Sequence, residues 1–496
     1  MPRRSKSLVR SRKRRAGSLR SQKESEEAEA WGQVGWAPRS FADALEANFV
    51  RSGITAWPDC STWRPKSMFD LYYKLQRVVH KEEWEAFSEA LRRPLPVTFR
   101  FVTADVPAAY RAEGEALLQR WAAVGTGTRK LTLVDGWQLH VDKHVLRAAV
   151  HGTEEAVLRE WLIRGSDAGY LIRQEVASML PAALVGVKQG QRVLDMCAAP
   201  GSKTTQLVEC LGDPRHPNAG VVVANDNTAV RAYTLVRRTA NLGPRAAALV
   251  VTCHRAQCMP RLTGGDEDES GEDGYDRIVC DVPCTGDGTT RKHPEVFARW
   301  EVALALRHHP LQLQIALRGA SLLAVGGMMC FSTCSLNPIE NESVVAEVLR
   351  RSGGALELVE GAARVATDLA AGCAPGMAAW HVLDFRLKMH EAPTSLARCA
   401  EASAGEKRLY MPSMWPPKPH EAAALHLSRC VRLLPHRSDS GGFFVALLRK
   451  TRPMPTHPIP RWPRAAAAAA TPSAGTDTRL ATVHAYVPIE PPAGSL

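Results

Sequence analysis

Two cysteines follow hydrophobic segments in positions that suit nucleophilic chemistry. In IVCDVPCTGDGTTRKHPE, Asp281 and Cys284 come just after a predicted strand, and in MMCFSTCSLNPIENE, Cys334 comes just after another. Binding sites of open α/β sheets form beyond the carboxyl ends of the strands, so both thiols are expected to project towards one edge. A thiolate is a strong nucleophile, and a second thiol beside it can transfer a proton.

The segment VLDMCAAPGSKTTQLVECL predicts a strand, a tight loop and a helix. Small residues let the backbone approach a ligand closely, and the N-terminus of the helix favours negative charge. The candidate binding residues of this loop are Cys197, Ala198, Ala199, Pro200, Gly201, Ser202 and Lys203, the last of which adds a cation. The pattern is neither GxGxxG nor a P-loop, so it indicates only a nucleotide-type ligand. The alternative is a purely structural turn.

The next predicted strand, GVVVAND, ends in Asp226. In doubly wound sheets, an acid at the tip of the second strand accepts hydrogen bonds from ribose hydroxyls. Asp226 is therefore a candidate ribose ligand, with a helix cap or turn residue as the alternative.

Zinc is the rival interpretation of the cysteines. Four thiols, Cys280, Cys284, Cys330 and Cys334, form two CxxxC pairs that could hold a metal. Cys280 and Cys330 fall inside apolar strands, however, where they resemble small buried hydrophobic residues. We therefore predict no metal site.

Alternating apolar strands and helices from about Asp167 predict an α/β fold with a doubly wound, Rossmann-like parallel sheet. The candidate strands are RVLDM, GVVVAND, AALVVT, YDRIVCDV and GGMMCFSTC, and VRLLP with GFFVALLRK predicts a terminal hairpin. We assign residues 166–450 to this domain. Residues 41–165 predict a smaller N-terminal region, with helices first and then a small α/β domain containing the strand VTFRFVTA and the hairpin KLTLV–WQLHV.

Charge and composition describe the two ends. The chain has 496 residues and a formal net charge of +12, and its first acidic residue is Glu24. Residues 1–40 predict a disordered basic tail, either a nuclear import signal or a phosphate-binding arm. Residues 451–496 predict a disordered Pro/Ala-rich tail. No membrane span or secretory segment is expected, so the 12 cysteines should be reduced.

Four motifs together resemble the Nop/Sun family of RNA cytosine-5 methyltransferases. They are DMCAAPGSKTTQL, VANDN, DRIVCDVPCTGDGTTRK and FSTCSLNPIENE, and they occur in the family's order. YYKLQRVVHKEEWEAFSEALRRPLPVTFR and SMWPP are similar to the eukaryotic tRNA methyltransferase branch. The likeness extends from about Phe41 to Lys450.

The resemblance implies S-adenosylmethionine (SAM) as cofactor and RNA as substrate, with tRNA favoured. It implies that Cys334 adds to carbon 6 of cytosine and that Cys284 helps to eliminate the enzyme after methylation of carbon 5. Asp281 would lie near both the methionine end of SAM and the cytosine ring, while the loop from Cys197 to Lys203, together with Asp226, would hold SAM.

Two departures from the family pattern qualify these expectations. The family usually carries NHDA after the third strand, and its aspartate accepts from the adenine amino group. Here the segment is TCHRA, and Arg255, which can only donate, takes that place. Members of the tRNA branch also continue into a further C-terminal domain, whereas this sequence stops soon after Lys450.

The alternatives are therefore a ribosomal RNA methyltransferase and a catalytically weak RNA-binding protein that keeps the fold. The basic N-terminus favours the nucleus or nucleolus, with the cytoplasm or an organelle as alternatives.

Overall fold

The structure, a computed structural model, describes residues 68–102, 106–123, 127–261, 274–361, 365, 369, 372–455 and 484–485. All of them belong to one unit, residues 65–496. The α-helices in these ranges are Met68–Gln76 (α1), Trp84–Ala90 (α2), Ala108–Ala123 (α3), Lys143–Ala148 (α4), Glu154–Asp167 (α5), Val176–Val185 (α6), Ser202–Cys210 (α7), Ala229–Thr239 (α8), Glu295–Arg299 (α9), Val302–Leu322 (α10), Glu342–Arg351 (α11), Pro393–Arg398 (α12), Ala404–Lys407 (α13), Pro419–Ala424 (α14) and Pro435–Ser438 (α15).

The strands are Pro96–Phe101 (β1), Arg129–Leu131 (β2), Gly136–Asp142 (β3), Leu171–Arg173 (β4), Arg192–Asp195 (β5), Val221–Asp226 (β6), Leu249–Cys253 (β7), Tyr275–Asp281 (β8), Leu323–Thr333 (β9), Leu356–Val359 (β10), Cys373–Pro375 (β11), Val382–Leu383 (β12), Met389–His390 (β13), Val431–Leu433 (β14), Phe443–Lys450 (β15) and His484–Ala485 (β16).

A four-stranded antiparallel sheet, in the order β2–β3–β1–β4, forms the N-terminal region. Aromatic residues from the sheet and from α5, including Phe99, Phe101 and Trp161, fill its core. The predicted hairpin is present, with Leu131 opposite Gly136. The edge strand β4 lies beyond residue 165, so this sheet includes residues of the range 166–450, which the sequence analysis assigns to the next domain. A three-residue strand is too short for hydrophobic periodicity to reveal.

The central sheet has the order β11–β14–β15–β9–β8–β5–β6–β7–β16, and β10 pairs with the far end of β15. The strands from β9 to β7 are parallel, and β15 joins β9 antiparallel. The predicted parallel strands are thus confirmed, as is the terminal hairpin of β14 and β15. The carboxyl ends of β5, β6, β8 and β9 meet at one edge of the sheet, which is where open α/β folds place their sites.

Helices cover both faces of this sheet because side chains of each strand alternate between the faces. Val193 and Val279 pack in one core cluster with residues of α6 and α7. On the opposite face, Ile278 and Met329 lie against Gly319 of α10, where a side chain at residue 319 would collide with the Met329 sulfur. This two-sided cover is the doubly wound arrangement that the sequence predicts.

One part of the predicted disordered C-terminal tail forms a strand. His484 and Ala485 pair antiparallel with Val251 and Val250 of β7. The unpaired backbone groups of β7 make it a template for a further strand, which composition alone does not reveal. The basic segment 1–40 lies outside the described residues. In the ranges that the structure does describe, no helix is both long and apolar enough to span a bilayer.

Candidate active site

The two strand-end cysteines meet. The Cys284 and Cys334 sulfur atoms lie 3.3 Å apart, within hydrogen-bonding distance. The parallel pairing of β8 with β9 causes this meeting because it aligns Asp281 with Ser332 and brings the two loops that follow side by side. The sequence prediction that both thiols project to one edge is therefore confirmed.

The two thiols differ in their surroundings. The hydrogen bond to Cys334 and then burial raise the pKa of Cys284 well above its ordinary value. The Cys284 thiol is therefore harder to ionise than an ordinary cysteine, and either sulfur can be the donor of the bond between the two. A thiolate at one of the two positions would be the nucleophile, with the other sulfur within reach for proton transfer.

A partly buried ion pair lies beside the thiols. Lys203 Nζ is 2.8 Å from Asp281 Oδ2, and it also donates to Ser178 Oγ at 2.9 Å. Burial by itself lowers the pKa of Lys203, but the carboxylates of Asp281 and Asp195 and the sulfur of Cys334 outweigh it and raise that pKa. The lysine is therefore a permanent cation close enough to Cys334 to stabilise negative charge on its sulfur.

Asp281 is held in place from a second direction. Ser332 Oγ donates to Asp281 Oδ1 at 2.7 Å, while Lys203 occupies Oδ2. The carboxylate is thus fixed at the end of β8, three residues before Cys284.

One buried carboxylate joins the two cysteine loops, which sequence reasoning missed. Glu340 Oε2 accepts from Thr285 Oγ1 and from Ser335 Oγ, each at 2.6 Å. Its Oε1 accepts from the Thr285 backbone N–H at 2.9 Å and from Gln312 Nε2 at 3.0 Å. Thr285 follows Cys284 and Ser335 follows Cys334, so Glu340 holds the residue after each thiol. Burial and the nearby carboxylate of Asp287 raise the pKa of Glu340.

The N-terminal region contributes to the same network. Tyr73 of α1 donates its hydroxyl to Asp287 Oδ2, and the Leu336 backbone N–H donates to Asp287 Oδ1 at 2.6 Å. Tyr72 donates to Asn337 at 3.0 Å. Two consecutive tyrosines in a helix read as core residues, and no signal in the sequence indicates that they would support loops more than 200 residues away.

The predicted cofactor loop follows β5 as expected. The Ala198 N–H donates to the Asn225 carbonyl at 2.8 Å, and the Gly201 N–H closes a turn on Ala198 at 2.8 Å. Gly201 has φ +109°, and a Cβ there would lie 2.9 Å from Leu235, so this turn requires glycine. Beyond it, α7 begins at Ser202 without a side-chain cap.

Asp226 supports this loop through its side chain. Its Oδ2 accepts from the Ala199 N–H at 3.0 Å, and its Oδ1 accepts from Arg231 Nε at 2.8 Å. Arg231 also donates to the Ala199 carbonyl at 2.8 Å. A ribose diol at Asp226 would therefore have to share the carboxylate with Arg231 or displace it.

Asp195, at the end of β5, is a second residue that sequence reasoning missed. It is buried, and its Oδ2 accepts from Thr204 Oγ1 at 2.8 Å, whereas its Oδ1 has no hydrogen-bond partner among the described residues. Burial raises the pKa of Asp195 to about 7. A buried acceptor without a donor is costly for a protein unless a ligand supplies the donor.

One further sequence expectation, at Arg255, can be placed directly. Arg255 is exposed and directly precedes a short helical turn after β7. Its neighbour His254 is tied to the site instead, because its backbone N–H donates to Asn225 Oδ1 at 2.8 Å.

The four cysteines considered as zinc ligands do not form one cluster. Cys280 and Cys330 are buried in the strand interiors, as predicted. In the part of the chain that the structure describes, the one set of at least three ligand atoms within 4.8 Å of one another lies elsewhere, at Asp384, His390 and Cys399. The zinc alternative for the cysteines is therefore not supported, and the absence of a metal stays a prediction.

Fold and site together define a doubly wound α/β protein of the Rossmann-like class. The solved structure of the protein PH0851 superposes with a TM-score of 0.50 at 20% identity, over 78% of this chain and 70% of that chain. The model of the family described as 16S rRNA methyltransferase RsmB/F matches residues 182–449. The chain belongs to this family.

Named relatives are similar over most of this chain. A tRNA (cytosine(34)-C(5))-methyltransferase of Drosophila melanogaster is 37% identical over 78% of this chain and 53% of its own length. A multisite-specific tRNA:(cytosine-C(5))-methyltransferase of Schizosaccharomyces pombe is 34% identical over 78% of this chain and 59% of its own length. The chain therefore spans somewhat more than half the length of these relatives.

Proposed function

We propose that this protein transfers a methyl group from SAM to carbon 5 of a cytosine in RNA, with tRNA the favoured substrate. The observation that carries the proposal is the pair of thiols whose sulfur atoms lie 3.3 Å apart beyond the ends of two parallel strands. Family membership and the names of the relatives agree with this chemistry, and the relatives' names favour tRNA over ribosomal RNA.

The residues at the sheet edge fit SAM. SAM carries an ammonium, a sulfonium and a ribose diol, all of which favour carboxylates. Three carboxylates, Asp195, Asp226 and Asp281, end three adjacent strands around the loop, and Asp195 Oδ1 has a free acceptor position. Lys203 would balance the carboxylate of SAM. When bound there, SAM supplies an electrophilic methyl group.

The thiols would then act in sequence. The Cys334 sulfur attacks carbon 6 of cytosine, which breaks the C5–C6 double bond and makes carbon 5 nucleophilic. Lys203 stabilises the sulfur before attack, and Asp281 holds the amino edge of the ring by accepting a hydrogen bond. During this addition Cys284 releases its thiol proton to solvent, which is the one proton that the overall reaction sets free. After carbon 5 is methylated, the Cys284 thiolate takes the proton from carbon 5. The double bond re-forms, and Cys334 leaves as thiolate.

Covalent trapping tests this proposal. Cys284→Ala removes the base of the last step, so protein and RNA should stay linked and migrate together on a denaturing gel. Cys334→Ala should form no adduct and transfer no methyl group. An adduct in Cys334→Ala and none in Cys284→Ala would reverse the roles. Bisulfite sequencing of RNA from cells with and without the gene would identify the methylated cytosine and separate tRNA from ribosomal RNA.

We further propose a nuclear location, supported by the basic segment RRSKSLVRSRKRR at the N-terminus. A fluorescent fusion should enter the nucleus, and replacing the arginines of this segment by alanine should redistribute it. An unchanged distribution would contradict the import role.

A further inference from the structure

An open cavity of about 540 Å³ lies beside the active site, between the N-terminal sheet and the central domain. Its walls come from the end of α5, from β4, from α7 and from the end of α8. It does not contain Cys284 or Cys334. Gly201 and Ser202 line it, however, and the next residue, Lys203, forms the ion pair with Asp281. The cavity therefore adjoins the first turn of α7, the helix that carries Lys203.

Three arginines give this cavity its chemistry. Arg173, Arg237 and Arg238 line it and come from different sides. In the described residues none of the three forms an ion pair, whereas Glu209, an acidic residue of the same wall, is paired with Arg100. Burial and the nearby charge of Arg147 lower the pKa of Arg173, whereas Asp167, which also lines the cavity, raises it. The cavity thus carries three guanidinium groups against Asp167 and the paired Glu209.

The outer side of α8 continues the same surface. This helix buries only Leu235 and Thr239 of its 11 residues. Tyr233 is 67% exposed, and it lies one helical turn before Arg237 on the same face. An exposed aromatic ring beside guanidinium groups suits a nucleotide, since the ring stacks on a base while the cations contact phosphates.

We propose that this surface, formed by Arg173, Arg237, Arg238 and Tyr233, is a track for single-stranded RNA leading to the thiols. It rests on the proposed function, because it guides the same RNA to the same site. The arginines bind consecutive phosphates, and Tyr233 stacks on an unpaired base. The open shape and the separation of the charges over two domains favour a polyanion over a small anion.

Removal of the charges tests the track. The triple variant Arg173→Ala, Arg237→Ala, Arg238→Ala should bind a labelled single-stranded RNA roughly ten- to hundredfold more weakly at about 0.1 M salt. Three lost phosphate contacts should also reduce the slope of log affinity against log salt by about 2. The corresponding lysine triple variant should recover most of that slope.

A matched control removes the same charge elsewhere. Arg386, Arg398 and Arg408 are exposed and outside the cavity. Their alanine triple variant should keep RNA affinity within about twofold to threefold. Equal losses in both triples, or wild-type binding by the cavity triple, would overturn the track. Inorganic phosphate that displaces RNA at low millimolar concentration, without any difference between the triples, would also contradict it.

Tyr233 separates stacking from charge. Tyr233→Leu should weaken RNA binding several-fold with an unchanged salt slope, and Tyr233→Phe should retain affinity. A Tyr233→Leu variant that binds like the wild type would remove the stacking part of the track. SAM affinity should stay the same in all these variants, so failure of the track is distinguishable from failure of methyl transfer, which the Cys284→Ala adduct reports.

Discussion

The thiol loops and the cofactor loop lie at the same edge of the central sheet, but their polar atoms are paired to different degrees. Around the thiols, Glu340 alone accepts four hydrogen bonds from inside the protein. Around the cofactor loop, one buried oxygen of Asp195 has no donor among the described residues, and Arg231 forms an ion pair with Asp226. The Glu340 link between the thiol loops is thus complete before substrate arrives, although Gln312 Oε1 and Asn337 Nδ2 beside it have no hydrogen-bond partner among the described residues. In the second region the orphan atom is on a carboxylate that a ligand could complete.

This difference has a physical reason. Two sulfur atoms must keep one relative position within a few tenths of an ångström for proton transfer and attack, which favours a rigid, fully bonded surround. A cofactor that enters and leaves benefits from acceptors that are satisfied only when it is bound. The predictions below test each side of this comparison.

The largest effect is expected at the thiols. Cys334→Ala should reduce methyl transfer by at least about a thousandfold because no other group can attack carbon 6. Cys284→Ala should block turnover as well, but with accumulation of the covalent adduct. Cys210→Ala, an exposed cysteine at the far end of α7, serves as the control and should retain activity.

A smaller loss is expected when the link between the loops is altered. Glu340→Gln keeps the shape of the side chain but removes the charge that four donors face. The loops should lose their register, and adduct formation should slow roughly tenfold to a hundredfold. Two measurements separate positioning from stability. The rate at which iodoacetamide alkylates Cys334 reports the position of the thiol, and the midpoint of thermal unfolding reports the stability of the fold. A lower unfolding midpoint with an unchanged alkylation rate would mean that Glu340 only stabilises the fold. Glu347→Gln on α11 serves as the control variant.

The pH dependence of SAM binding should report Asp195. Its raised pKa of about 7 means that the carboxyl is protonated below pH 7 and cannot attract the ammonium of SAM. Affinity should therefore rise up to tenfold per unit as pH increases from 6 towards 7, and then level off. Asp195→Asn should weaken binding and flatten the curve in calorimetry. A pH dependence that survives in Asp195→Asn would assign it to another group.

The same group predicts a trend in stability. The pKa of Asp195 is about 7 in the folded protein and 3.8, its ordinary value, in the unfolded chain. Between these two pH values the unfolded chain has released the proton of this carboxyl, while the folded protein keeps it. The contribution of Asp195 to the free energy of unfolding should therefore fall as pH rises through this window. Denaturant titrations of the wild type and of Asp195→Asn at pH 5 and pH 7.5 would measure it.

The smallest effect is expected at Arg255. The residue is exposed, so Arg255→Asp should add one acceptor for the adenine amino group, worth about 1 kcal/mol or roughly fivefold in SAM affinity. If the variant instead left SAM affinity unchanged and weakened RNA binding, Arg255 would act on phosphate. No change in either affinity would make Arg255 a solvated surface residue.

The sequence by itself determined the elements that carry local signals. Runs of apolar residues fixed β5 to β9, and the tight loop between β5 and α7 and the cysteines after β8 and β9 were visible as motifs. These signals are local because a strand end and a glycine turn depend on neighbours in the chain. The expected meeting of Cys284 with Cys334 followed from one topological rule.

Only the tertiary structure decided which distant residues support the site. Glu340 reads in the sequence as one acid among several, and Tyr73 reads as a core aromatic. Their roles arise because parallel pairing brings Glu340 to Thr285, 55 residues away, and the packing of α1 brings Tyr73 to Asp287, 214 residues away. Nothing in local periodicity encodes such contacts. The same holds for Asp195 Oδ1, which has no donor among the described residues, and for the cavity arginines, which form no ion pair there. Whether a polar group is paired depends on its neighbours in the folded protein, which its residue type does not reveal.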